Sequence, residues 1–93
     1  MSAPQPIDDY LRVPADIATV HVREEGARLL VRIETDMTRV RWILIKDFRR
    51  TFPGHGDAYW RRGSHEWSLP RERRAKLETW CENWFAADAI IRE

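Results

Sequence analysis

The chain holds one cysteine, Cys81, four glycines, and only two lysines, Lys46 and Lys76, among sixteen cationic residues. One thiol cannot close an internal disulfide. No apolar run approaches the ~18 residues of a membrane span, and the N-terminus lacks the charged and apolar blocks of a signal peptide. These absences lead to the expectation of a cytoplasmic chain with no membrane partner. Also missing are the arrangements that common chemistries need: a serine in a nucleophile elbow, a glycine-rich run before Lys-Ser/Thr, an acid pair with supporting context. His55, Asp57 and His65 come nearest to a metal set, but structural zinc sites use tighter Cys/His patterns and a second ligand pair. Cys81 falls on the apolar side of a predicted helix, where a thiol behaves as a small inert hydrophobe. The expectation is a chain that is not an enzyme and carries no metal or cofactor.

With 93 residues the chain is long enough for one self-supporting domain. Its net charge of +1 conceals an asymmetry. Between Arg39 and Lys76 there are eleven Lys/Arg against four Asp/Glu, a local charge of +7 that leaves −6 for the remainder. Nearly all the cations are arginines, whose planar guanidinium suits forked binding of phosphate or carboxylate and stacking on flat rings. A solvated charged face explains such a run equally well.

Residues 1–16, with Pro4, Pro6 and Pro14 and no periodicity, read as a flexible arm, and residues 17–93 as the domain. From Ala18 the pattern has period two. A Glu25-Gly26 loop would set Val22 opposite Leu29 and Val20 opposite Val31, leaving Thr19, His21, Arg23, Arg28, Leu30 and Arg32 on the other face. In residues 37–51 Met37, Val40, Leu44, Phe48 and Thr51 fall on one side at helical spacing, after Thr35 or Asp36 as cap and before Pro53-Gly54 as stop. Trp42 lies opposite that stripe beside Arg39, Lys46 and Arg49, either packed under the arm or C-terminus or free to bind.

A second hairpin follows. With Gly63-Ser64 as a type II′ loop, Trp60 faces Trp67, Arg61 faces Glu66 and Tyr59 faces Ser68, which gives one apolar and one polar face. Trp60 and Trp67 are therefore expected as buried neighbours, and Arg61 and Glu66 as a charge pair. Pro70 opens a second helix, to about Phe85, with Leu77, Trp80, Cys81 and Trp84 on one side. The residues after Phe85 either extend it or fold back. The expected fold class is α+β, in ββαββα order: a four-stranded, largely antiparallel sheet with two helices packed on one face and the other face open.

The stretch 40–84 carries a helix ending in Phe52-Pro53-Gly54, an aromatic strand at Tyr59-Trp60, the run Glu66-Trp67-Ser68-Leu69-Pro70 and a helix with Leu77. It resembles the HARP (HepA-related protein) domain over about half the chain. It departs from that pattern at His55-Gly56-Asp57-Ala58, which adds residues before the aromatic strand. HARP domains accompany a DNA-annealing helicase motor, so the resemblance implies contact with DNA, beside a motor on a separate chain.

The leading expectation is a small non-catalytic nucleic-acid-binding accessory domain that contacts phosphates through arginines. Its candidate contacts are Arg32, Trp42, Lys46, Arg49, Arg50, Tyr59, Arg61 and Arg62. The alternative is a protein-interaction module, or a homodimer joined around Leu30 and Tyr59, whose arginines serve a partner's acids or those of the arm: Asp8, Asp9 and Asp16.

Overall fold

The computed structural model describes residues 12–54 and 58–93. Strands β1 (Thr19–Glu25) and β2 (Arg28–Glu34) form an antiparallel hairpin. Helix α1 (Thr38–Thr51) follows, then β3 (Tyr59–Arg61) and β4 (Glu66–Pro70). A short 3₁₀ turn, Arg71–Arg73, leads into helix α2 (Arg74–Trp84), and a second turn, Ala87–Ala89, leads into β5 (Ile90–Arg92). The fold is α+β, as expected. Its sheet has five strands in the order β3-β4-β2-β1-β5, however, and it is mixed, because β5 runs parallel to β1.

The fifth strand corrects the four-stranded expectation. The chain beyond Phe85 returns to the sheet and sets Ile90 beside Val20 and Arg92 beside Val22. Three residues are too short to show a period of two, so only the exposed backbone edge of β1 marks where they dock. Part of the predicted arm is likewise held in place. Val13 donates its N–H to the Trp84 carbonyl at 2.7 Å and accepts from Ala86 N–H at 2.8 Å, bridging to Phe85. Farther along, Thr35 donates its hydroxyl to the Ile17 carbonyl at 2.7 Å and accepts from Met37 N–H at 3.1 Å. Residues 1–11 of the arm lie outside the described residues.

Both hairpins keep their predicted faces while their turns differ. In the first, the loop is Gly26-Ala27, so that Val22 faces Val31 and Val20 faces Ile33. Gly26 has φ 62°, the left-handed value that a Gly-X turn requires of its first residue. A shift of two residues preserves the side-chain alternation, which is why the apolar face survived the wrong register. In the second hairpin the register is the expected one, Trp60 opposite Trp67 and Arg61 opposite Glu66. Its loop spans four residues, 62–65, and the left-handed residue is His65 at φ 55°, not Gly63.

The inner face of the sheet, with Val20, Val22, Leu29, Val31, Trp67 and Leu69, packs against Leu44 and Phe48 of α1 and Leu77, Trp80 and Cys81 of α2 in one core. Phe48 sits at its centre, its ring 4.6 Å from Trp67, 4.9 Å from Phe52 and 5.1 Å from Trp80. Val40 packs at the margin, and Met37, predicted for the stripe, precedes the helix and is exposed. Trp67 is 7% exposed but Trp60, expected to be buried with it, is 47% exposed. The rings do touch, 4.8 Å apart at 61°. Trp60 stands on the edge strand, where no further strand covers it.

The outer face is not open in the expected sense. Leu30 is 1% exposed there. It lies between Arg23 and Ser68 in the sheet register, on a face of long arginine side chains whose apolar stems can shield such a residue while their heads are engaged by neighbours. The Arg23 guanidinium holds the buried Glu66 carboxylate through two bonds of 3.1 and 3.2 Å. Arg61 therefore pairs with Glu25 at 3.2 Å instead of with Glu66, its predicted partner.

The unequal burial of the two tryptophans sets an expected outcome. Trp67→Ala should cost about 3–5 kcal/mol, as large-to-small changes in cores do, and Trp60→Ala well under half of that. Urea unfolding of the two variants checks this, and equal losses would contradict the edge position of Trp60. Gly26→Ala meets no atom near the added carbon, so its loss should be the backbone cost alone, about 1–2 kcal/mol.

Candidate nucleic-acid interface

Seven of the eight predicted contacts fall into two groups on opposite sides of the sheet. Arg32, Tyr59 and Arg61 belong to the outer face. Arg32 is paired with Glu34 at 2.7 Å and lies 3.9 Å from Glu93, and Arg61 is paired with Glu25. Tyr59 lies beneath the Arg28 guanidinium, 5.5 Å from ring centre to cation, while Arg28 also donates to the Ser68 hydroxyl at 2.8 Å. His21 sits among Glu34 and Glu93 at 3.3 and 3.2 Å. The guanidinium groups of this face are thus bonded to the protein itself. Arg62 lies apart, in the loop after β3.

The second group, Trp42, Lys46, Arg49 and Arg50, lies on α1. The spacing Trp42, Ile45, Lys46, Arg49 is i, i+3, i+4, i+7, which stacks the four side chains along one stripe. The adjacent stripe, Leu44 and Phe48, is buried, so the helix is fixed with Trp42 outward, at 63% exposure. Between this stripe and the β3–β4 hairpin runs a groove of about 740 Å³. Trp42, Ile45 and Arg49 line it from α1 and Trp60 from β3, together with Phe52 and Trp67. Sequence reasoning missed Trp60 as a site residue because it assigned both tryptophans of the hairpin to the core. The available signal was the shortness of the strand after Pro53-Gly54, which marks an edge.

One carboxylate orients this helix. Asp47 accepts hydrogen bonds on Oδ2 from the indole N–H of Trp80 at 2.9 Å and of Trp84 at 2.7 Å, and on Oδ1 from Arg50. Burial pushes the Asp47 carboxyl up, but the bonds from Trp84, Trp80 and Arg50 outweigh it and hold it below the ordinary value. Its charge is therefore turned inward. Arg50 remains 82% exposed, and Lys46 and Arg49 have no ion-pair partner among the described residues. Arg49 and Arg50 line the groove beside Trp42, Phe52, Trp60 and Trp67, and Lys46 is next to them on the stripe of Trp42.

Other chemistry-bearing residues stand elsewhere. Cys81 is buried, and burial pushes its thiol up to about 12. The His65 ring lies 6.0 Å from Trp60, and His55 and Asp57 lie outside the described residues. Among the described residues no cluster of three His, Cys, Asp or Glu could hold a metal ion, and no helix is long and apolar enough to cross a membrane. No family model, curated protein or solved structure matches the chain.

The Asp47 clasp carries a pH signature. Its folded value lies below the unfolded one, near 4, so its contribution to stability is complete above that value and disappears as pH falls through the folded value. Asp47→Asn should be less stable than the wild type at pH 7, and the gap should narrow as pH drops below about 4. Urea unfolding at both pH values measures it. A gap independent of pH would show that the charge does not hold the indoles. Asp47→Ala should cost about 1–3 kcal/mol for each indole N–H left without an acceptor.

Proposed function

We propose that the protein is a small, non-catalytic nucleic-acid-binding domain that holds phosphates with Lys46, Arg49 and Arg50 at the rim of the α1 groove. The observation that carries this reading is the contrast between the two faces. Arginines on the outer sheet face are bonded to glutamates or a serine, whereas on α1 Lys46 and Arg49 have no ion-pair partner among the described residues and Arg50, paired with Asp47, keeps 82% of its side chain exposed. Cations held apart from protein acids can neutralise phosphates and release counterions. The groove lies within the stretch that resembles HARP domains, which favours DNA as the ligand. An accessory role beside a helicase motor is what the same resemblance suggests.

A rival reading is supported by the exposed Met37, Trp42, Ile43 and Trp60: a protein-interaction surface, or the seam of a homodimer, centred on α1. A single set of experiments separates the two. Binding to single-stranded, duplex and forked DNA is titrated over a range of salt concentrations. Arg49→Ala with Arg50→Ala should weaken all three and flatten the slope of log K against log salt by up to about one unit per lost contact. Arg61→Ala, removing a guanidinium already paired with Glu25, should change the slope little. Absence of binding to every nucleic acid at low salt, with self-association altered by the α1 substitutions, would establish the rival.

A further inference from the structure

We infer that the groove between α1 and the β3–β4 hairpin receives unpaired nucleotides, whose bases stack on Trp42 and Trp60 while Lys46, Arg49 and Arg50 hold the flanking phosphates. This rests on the nucleic-acid reading above and narrows it to single-stranded segments.

Two indoles, 63% and 47% exposed, line one groove, Trp42 from α1 and Trp60 from β3. An isolated exposed tryptophan needs no explanation. Two that line the same concavity, together with the apolar Ile45, Phe52 and Trp67, present flat surfaces to whatever enters it. Trp60 is held in place by its edge contact with Trp67, which in turn packs on Phe48. The rim completes the chemistry. Arg49 and Lys46 share the Trp42 stripe, with Arg49 about 10 Å along the helix axis from Trp42, within the span of a short nucleotide segment.

A base offers an aromatic face only when it is unpaired, because in a duplex both faces are covered by neighbouring pairs. An aromatic platform beside a cationic track is the arrangement by which single strands are bound without reading their sequence. A duplex would engage the cations and leave the indoles uncovered. An acidic peptide could satisfy the rim, but it would have no systematic supply of flat rings for both indoles. The outer face of the sheet exposes Tyr59 as well, at 54%, but the cation over its ring, Arg28, is bonded to Ser68, and Arg32 and Arg61 are paired with glutamates.

The test uses the full chain with three labelled probes of the same length, about 10 nucleotides: oligothymidylate, oligouridylate and a DNA duplex. Trp42→Ala and Trp60→Ala should each weaken single-strand binding roughly 5- to 100-fold and leave duplex binding unchanged. Trp60→Phe, which retains an aromatic face, should restore most of the affinity. Quenching of tryptophan fluorescence by oligothymidylate should shrink in Trp42→Ala, whose surface position leaves the fold intact as read by thermal unfolding. Comparing the two single strands distinguishes DNA from RNA, and binding of either supports the inference. If Arg49→Ala with Arg50→Ala weakens single strands and duplex alike while both tryptophan variants bind as the wild type does, the inference is overturned and the phosphate reading stands. If the wild type binds none of the probes at low salt, both fall.

Discussion

The position of α1 on the sheet depends on one carboxylate. Asp47 accepts from the indole N–H of Trp80 and Trp84 through a single oxygen and from Arg50 through the other. Two buried or half-buried indoles would otherwise lack an acceptor, and an unpaired carboxylate would be costly at this depth. Both helices are thereby locked in rotation as well as in contact. Leu44 and Phe48 point to the sheet, and the next stripe, from Trp42 to Arg49, is left along the groove. The same bond set turns the one acid of α1 inward, where it engages Arg50, and leaves Lys46 and Arg49 to solvent.

The two faces of the sheet solve different problems with the same residue type. On the inner face the aliphatic strands, Phe48 and Trp67 close the core. On the outer face Arg23 neutralises the buried Glu66, whose carboxyl it holds below the ordinary value, and Leu30 is buried between Arg23 and Ser68 in the sheet register. These arginines serve the fold. On α1 Arg41 donates to the Thr35 carbonyl and Arg50 to Asp47, whereas Lys46 and Arg49 have no ion-pair partner among the described residues, and these two cations beside exposed aromatic rings support the proposed ligand, both anionic and flat. The surplus of arginine over lysine fits both uses, since the guanidinium can fork onto a carboxylate in one place and onto a phosphate in another.

Much of the fold was legible because side-chain alternation has a short period. Val20, Val22, Leu29 and Val31 announce one face of a sheet whichever turn joins them, and so the faces were right although the loop was placed one residue early. The helix at Thr38–Thr51 was legible from Leu44 and Phe48 at helical spacing, bounded by Pro53-Gly54. The exposure of Trp42 was among the readings of that same wheel.

What lay beyond the sequence was decided by neighbours distant along the chain. Ile90 and Ile91 carry no pattern of their own and become a strand because β1 has a free backbone edge beside them. Leu30 is buried on the face where Arg23 and Arg28 bond to Glu66 and Ser68, forty residues or so away. Trp60 and Trp67 are equivalent in sequence, but only Trp67 has strands on both sides and Phe48 above it. The sequence by itself determined which residues alternate, which stripe of each helix is apolar and where the positive charge is concentrated, since all three depend on local period and composition. Tertiary structure alone decided which arginines are neutralised, which tryptophan stands at an edge and which aromatic rings share a groove, because each of these depends on partners that only the folded sheet brings together.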